Sequence, residues 1–267
     1  MKKETFKFSG DSAINYDTYL GPFLFEPYAH FVAQMLPATA HDVLEVCSGT
    51  GRLTRHLANR LSPGGKLTAL DLNTDMLNVA KPKVKEKPVK FVIADAQQLP
   101  FPDNSFDYVF CQFGLMFFED KQKGVDEVYR VLKPKGKYIF ATWDKTENAI
   151  THKVFFNDLL LPFFGKDSNR FLVPFSLHHK DELLSYLTTA GFKNKVVKKV
   201  EMEGTSPSAL DVVNGYLLKH SIGDAVREKD PDALPVMASR FENSLIEIFG
   251  PREITMKFSA FIGEGEK

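Results

Sequence analysis

Apolar positions along this chain fall into short continuous runs separated by longer amphipathic stretches. Residues 42–46 (DVLEV), 66–72 (KLTALDL), 89–95 (VKFVIAD), 106–112 (FDYVFCQ) and 137–144 (KYIFATWD) are too short for buried helices, and they read as buried strands. Helical spacing occupies the intervals. Residues 52–61 form one such segment and Asn73-Thr74 opens another. A third covers 119–132, with Val125, Val128, Val131 and Leu132 on one face before the turn Lys133-Pro-Lys-Gly136. Farther on, 181–190 has helical character and stops at Gly191, a C-cap signal. Residues 193–202 then read as a sixth strand, and 253–263 (EITMKFSAFIG) alternate as a seventh. Strand regularly followed by helix predicts an α/β fold: a doubly wound, mostly parallel sheet of seven strands.

The first strand ends against Glu45-Val-Cys-Ser-Gly-Thr-Gly51, and a helix follows at once. Strand, glycine turn and helix form the opening unit of a nucleotide-binding sheet, where ligand meets backbone at the carboxyl end of the strand. A dinucleotide fingerprint begun at position 47 or 49 requires glycine at Arg52 or Thr54, and neither fits. No Gly-Lys-Ser/Thr follows the turn, so a triphosphate-binding loop is also excluded. What remains is an acid inside the strand end followed by Gly-x-Gly, and that carboxylate suits a ligand bearing an ammonium group. In a doubly wound sheet an acid ending the second strand, here Asp71 beside Leu72, is placed to accept ribose hydroxyls. Met76, on the next helix, is placed to cover an adenine face. The fourth strand delivers Gln112 and Phe113 to the same edge of the sheet.

Composition narrows the class. The chain has 267 residues, 43% of them hydrophobic, enough for a substantial core. Lys+Arg and Asp+Glu are both 34, so no global field favours nucleic acid or an anionic membrane; the locally basic 81–90 segment reads as a solvated helix end. The two cysteines, Cys47 and Cys111, are too few for a disulfide framework or a cysteine metal site. No His/Asp/Glu spacing resembles a metal site either. Residues 1–8 lack the apolar centre of a signal peptide and no run is long enough to span a membrane, so a cytoplasmic protein without a membrane span is expected.

The motif Glu45, Gly49, Gly51 resembles the first motif of class I S-adenosylmethionine-dependent methyltransferases, with Cys47 where a first glycine is usual. The segment 94–107 (ADAQQLPFPDNSFD) closely resembles the corresponding stretch of the ubiquinone/menaquinone-biosynthesis-like (type 11) branch. So do Phe113-Gly-Leu and the Arg-Val-Leu-Lys-Pro-x-Gly run before the fifth strand, so the resemblance covers about 40–144. It implies a Rossmann-like fold whose antiparallel last strand lies between the fifth and sixth. It implies S-adenosylmethionine as cofactor, with S-adenosylhomocysteine as product. Asp95 would bond the adenine amino group, the Ala96 backbone would meet a ring nitrogen, and Gln112-Phe113 would line the channel from sulfonium to acceptor. An N-terminal arm of the kind seen in related enzymes would bring Tyr19, or Tyr16, to the methionine end.

The implied organisation is a single methyltransferase domain over 1–267. Its core lies at about 36–145, 180–203 and 252–267, with an arm over 1–35 and lid insertions at about 146–179 and 204–251. Helical character within the second insertion centres on 210–218 and 238–249. The first insertion is dense in aromatics (Phe155, Phe156, Phe163, Phe164, Phe171 and Phe175); these rings read both as a second small core and as walls of an apolar acceptor pocket. The expected reaction is in-line methyl transfer to a small apolar or aromatic molecule, with no partner nucleic acid. His152, His178, His179 and Asp144 are candidate bases, none assigned as catalytic. The alternatives are a cofactor-binding regulatory protein without transfer activity and another nucleotide-dependent enzyme such as a dehydrogenase.

Overall fold

The structure is a computed structural model and describes residues 11–267; the expectation for residues 1–8 lies outside the described residues. Among the described residues seven strands form one sheet: β1 (Asp42–Val46), β2 (Lys66–Asp71), β3 (Val89–Ile93), β4 (Phe106–Gln112), β5 (Leu132–Trp143), β6 (Lys193–Ser208) and β7 (Arg252–Glu266). Their order is β3-β2-β1-β4-β5-β7-β6. The β1–β2, β2–β3, β1–β4 and β4–β5 pairs are parallel, and β7 is antiparallel to β5. The doubly wound sheet, with its last strand between the fifth and sixth, is therefore as expected.

The chain divides into two compact units. The sheet unit comprises 28–144, 174–200 and 260–267. Its core is aliphatic along β1, where Val43, Leu44 and Val46 are fully buried, and aromatic along β4 and β5, where Phe110, Tyr138 and Phe140 are buried. Burying such side chains supplies roughly 1.5–3 kcal/mol each, the main favourable term holding the sheet. Two helix starts are capped as their sequences require. The Asn73 carboxamide oxygen accepts from the Asp75 and Met76 N–H groups, and the Asp120 carboxylate accepts from Lys123 N–H. At the opposite edge of the sheet, Lys133 bridges Asp42 at 2.7 Å and Asp107 at 2.9 Å, joining β1, β4 and β5.

Two boundaries differ from the sequence pattern. β5 begins at Leu132, which pairs with Phe106; the register then jumps so that Tyr108 meets Lys137. Lys133-Pro-Lys-Gly136 is thus an excursion inside a strand, with Lys135 at a φ of 67°, and a turn signal alone does not distinguish this from a loop before a strand. β6 and β7 also run longer than their apolar alternation: β6 continues to Ser208 and β7 to Glu266.

In the helical unit, the described residues are 11–27, 145–173 and 201–259. Its core is a cluster of rings. Phe155 stands 4.9 Å from Phe241 and 5.2 Å from Tyr216, while Phe23 packs on Phe258 at 6.0 Å and on Tyr216 at 6.1 Å. Such pairs add to the burial of their area. Helices Ser221–Lys229 and Ala233–Phe249 lie in this unit. The first was not evident from the sequence, and the second starts earlier than its apolar periodicity.

The glycine turn after β1 supports a graded test. Gly51 has a φ of 79°, and a β-carbon there would lie 2.8 Å from Ala80 Cβ; Gly49 has a φ of 53° with open space around the same position. Gly51→Ala is expected to cost about 2–4 kcal/mol through strain and a clash, and Gly49→Ala about 1–2 kcal/mol through strain alone. Urea unfolding of the two variants checks the order, and equal losses would contradict it.

Candidate active site

The strand order reverses at β1, with β2 on one side and β4 on the other, so the carboxyl ends of β1 and β4 flank a topological switch point. Around it the sheet unit gathers Glu45, the glycine turn, Asp71 and the 111–114 corner. Ser48 N–H bonds the Leu70 carbonyl at 2.9 Å, which aligns the turn with the end of β2. Asp71 completes the connection: Oδ2 accepts from Gly49 N–H and Oδ1 from Asn73 N–H, both at 2.8 Å. Burial raises the Asp71 carboxyl above its ordinary range, and the N–H groups of Asn73, Gly49 and Leu72 oppose that rise.

Glu45 is 2% exposed and its Oε2 has no hydrogen-bond partner in the structure. Burial pushes its carboxyl up to about 8, opposed by the nearby Thr54 hydroxyl and reinforced by Cys111 and Asp71. A buried carboxyl with an unsatisfied oxygen is suited to receive a cation.

Cys47 has a φ of 55°, a left-handed conformation that glycine adopts without cost and a side chain adopts under strain. That backbone requirement explains why glycine is usual at this position; the turn keeps the shape of a glycine turn while carrying a thiol. Phe113, at the end of β4, has the same unusual φ of 55°. Its N–H bonds the Ala141 carbonyl at 2.9 Å, and its ring stacks on Trp143 at 3.7 Å with 4° between the planes. Tyr28 closes edge-on against both rings at 5.3 Å, and its hydroxyl donates to the Val200 carbonyl. Tyr28 and Trp143 thus fix the 113 corner, and sequence reading assigned neither. The lone tryptophan at a strand end was the available signal.

The other predicted residues are distributed as follows. Leu72 is 70% exposed beside Asp71, whereas Met76 is buried at 5%. Asp95 is exposed, its Oδ1 accepting from Gln97 N–H at 2.8 Å, and Ala96 is buried next to it. Gln112 ends β4. Tyr19 belongs to the helical unit, on the π-helix Tyr16–Phe25, where its backbone lies against Gly215. Among the candidate bases, Asp144 is buried and ion-paired with Lys199 at 2.7 Å. His178 bonds the Phe175 carbonyl, and His179 sits just before the Lys180–Ala190 helix. His152, in the helical unit, is held neutral: burial lowers its pKa to about 3.

The model of the ubiE/COQ5 methyltransferase family matches residues 27–211, from the Tyr28 wedge through all of β1 to β6. The chain belongs to that family. Ubiquinone/menaquinone biosynthesis C-methyltransferases are among its similar relatives. The protein of that name from Saccharophagus degradans is 35% identical over 58% of this chain and 68% of its own length. The one from Pseudomonas paraeruginosa is 35% identical over 58% of this chain and 66% of its own length. The chain therefore spans about two thirds of the length of these relatives. Among solved structures, phosphoethanolamine N-methyltransferase 2 of Haemonchus contortus, in complex with S-adenosyl-L-methionine, matches with a TM-score of 0.60 at 20% identity. That match covers 98% of this chain and 58% of the other. A protein of Bacillus halodurans matches with a TM-score of 0.57 at 22% identity over 90% and 98%. At these identities the structural likeness is one of fold. The methyltransferase is an enzyme that uses S-adenosylmethionine as methyl donor. Among its described residues no helix is long and apolar enough to cross a membrane.

Glu45 gives the ligand-free methyltransferase a characteristic pH dependence. A carboxyl raised in the folded state keeps its proton where the unfolded chain has lost it, so stability falls as pH rises from the ordinary 4.5 toward about 8. Burial lowers His152 to about 3 and His220 to about 4, and these groups act in the opposite sense below 6.5. Unfolding free energy is expected to drop by about 1.5 kcal/mol between roughly pH 6.5 and 8. In Glu45→Gln that slope should vanish in denaturant titrations, and its persistence would reject the assignment.

Proposed function

We propose that the enzyme transfers the methyl group of S-adenosylmethionine to a small apolar or aromatic acceptor, with the cofactor lying across the β1, β2 and β4 strand ends. The observation that carries the placement is Glu45, a buried carboxyl with an unsatisfied oxygen at the start of a left-handed glycine turn. The residues present fit the cofactor. Open space stands over Gly49, where nothing lies within 4 Å of an added β-carbon, so a ligand can approach the backbone. Glu45 would take the ammonium group, with Cys47, Gly49 and Gly51 forming the cradle of the methionine end. Asp71, a carboxylate with about four acceptor sites, retains lone pairs for the ribose hydroxyls after accepting its backbone N–H groups. Exposed Leu72, with Met76 behind it, would cover the adenine, and Asp95 with the Ala96 backbone would read its edge. Gln112 and Phe113 would line the path to the acceptor.

The cofactor supplies a methyl group on a sulfonium, whose positive charge is neutralised as the new bond forms. The chain's own contribution is then positioning and exclusion of water. The Phe113–Trp143–Tyr28 stack serves this role, because it holds a strained corner rigid at the end of β4. No residue is assigned as a general base. The apolar character of the acceptor rests on the aromatic segment after Lys145, and a cytoplasmic location accords with two free cysteines.

At pH 7 the free enzyme carries Glu45 mostly protonated, and a cation beside it favours the carboxylate. Calorimetry in buffers of differing ionisation enthalpy should therefore show release of about one proton per S-adenosylmethionine bound, lost in Glu45→Gln. Asp71→Ala should weaken binding by at least about tenfold; unchanged affinity would sink the ribose assignment.

Acceptor class is tested by incubating the enzyme and cofactor with a library of small molecules and measuring S-adenosylhomocysteine release. Turnover is expected among apolar hydroxy- or oxo-aromatic compounds. Turnover confined to polar aliphatic acceptors would reject the acceptor reading while leaving cofactor placement intact.

A further inference from the structure

Cys47 and Cys111 are the chain's two cysteines, and both thiols are free. They come from different strands. Cys47 follows β1 and Cys111 lies near the end of β4; from the pair Glu45–Phe110, Cys111 is one residue on and Cys47 two. Gly114 stands over both. A β-carbon on Gly114 would lie 2.8 Å from Cys47 Sγ and 3.0 Å from Cys111 Sγ, so the sulfurs are no farther apart than those two lengths laid end to end. Neighbouring parallel strands hold opposed backbones within the span that a disulfide bridges. The two thiols differ in access: Cys47 is partly exposed, and Cys111 is fully buried behind it.

An accessible thiol backed by a second thiol is the arrangement of a reversible oxidation site. We propose that Cys47 and Cys111 form a redox modification site, closing a disulfide at the end of β1 when the protein meets a peroxide. The neighbouring Cys111 and burial push the Cys47 thiol up, so it gives up its proton as its sulfur attacks one peroxide oxygen; the O–O bond breaks, and the second oxygen takes up that proton and leaves as water. The sulfenic acid so formed is attacked by Cys111, whose sulfur displaces the hydroxyl, which leaves as the second water. Two electrons pass from the sulfurs to the peroxide, and the two thiol protons end in the two waters.

The consequence follows from where Cys47 sits. Its φ of 55° sets the direction of the Ser48-Gly49 backbone, and Gly49 N–H is clasped by Asp71 at 2.8 Å. Drawing Cys47 toward β4 re-aims that backbone against the clasp. This coupling rests on the cofactor placement proposed above; formation of the disulfide does not.

The full chain is treated with stoichiometric hydrogen peroxide, its intact mass is measured without reductant, and S-adenosylmethionine is titrated before and after. The expected result is a mass lower by two hydrogens and a cross-linked peptide joining positions 47 and 111. Cofactor affinity should weaken by about tenfold or more and recover with dithiothreitol. Cys111→Ala should instead gain oxygen at Cys47 and form no cross-link. Absence of the cross-link in the wild-type chain overturns the proposal, as does a cross-link that leaves affinity unchanged. Failure of the reduced wild-type protein to bind S-adenosylmethionine would count against the proposed cofactor placement, while the mass measurement still decides the disulfide.

Discussion

One carboxylate, that of Asp71, joins three elements. It ends β2, clasps the Gly49 N–H of the turn after β1, and takes the Asn73 N–H that precedes the next helix. Both donors are backbone groups at loop positions, where satisfied hydrogen bonds are hardest to arrange. Charge-assisted bonds of this kind are roughly twice as strong as neutral ones, and they fix the turn before any ligand arrives. Without the clasp, β1 would still pair with β2, since that register is set by Val43, Leu44 and Val46 in the core. The turn would lose its fixed direction. Strand pairing builds the sheet, and Asp71 makes its edge a site.

The fourth strand meets the same need with rings. Phe113 is held in a left-handed conformation costing about 1–2 kcal/mol, and the near-parallel stack on Trp143 with Tyr28 edge-on offsets that cost. Gly114 immediately follows, and its missing side chain leaves the space filled by the two sulfurs. Strain at 47 and at 113 on two neighbouring strand ends is what a pre-organised site predicts: backbone forced into rare conformations by surroundings that over-determine it.

How legible this was in the sequence depended on the range of the interactions. The parallel strands were legible because each is a short apolar run bounded by turn residues, and the ribose candidate because an acid ends the second of them. The Lys133–Gly136 excursion was not, since the same Pro-Gly signal serves a loop or a bulge and only the Phe106–Leu132 pairing decides. Nor was the role of Tyr28, whose partners Phe113 and Trp143 are far away in sequence. Cys47 looked like a flaw in a glycine motif until its φ showed that the backbone shape is intact. The helix Ser221–Lys229 was missed because its buried residues, Ile222, Gly223 and Val226, are too few to make a stripe.

The site's electrostatics follow from what is buried without a partner. An ionised carboxylate at Glu45 would be costly in its dry position, so the free enzyme holds it mainly as the neutral acid, with a pKa of about 8. Asp71 faces the same desolvation but stays closer to its ordinary range, because backbone N–H groups stabilise its charged form. Burial therefore raises two carboxyls at adjacent strand ends, and backbone donors oppose the rise only at Asp71. A ligand that presents a cation to the first and neutral hydroxyls to the second supplies each with the group it lacks. A ligand with a pyrophosphate would place anions against both. The absence of a third glycine argued against a dinucleotide from spacing alone, and the buried acid gives an independent reason in charge.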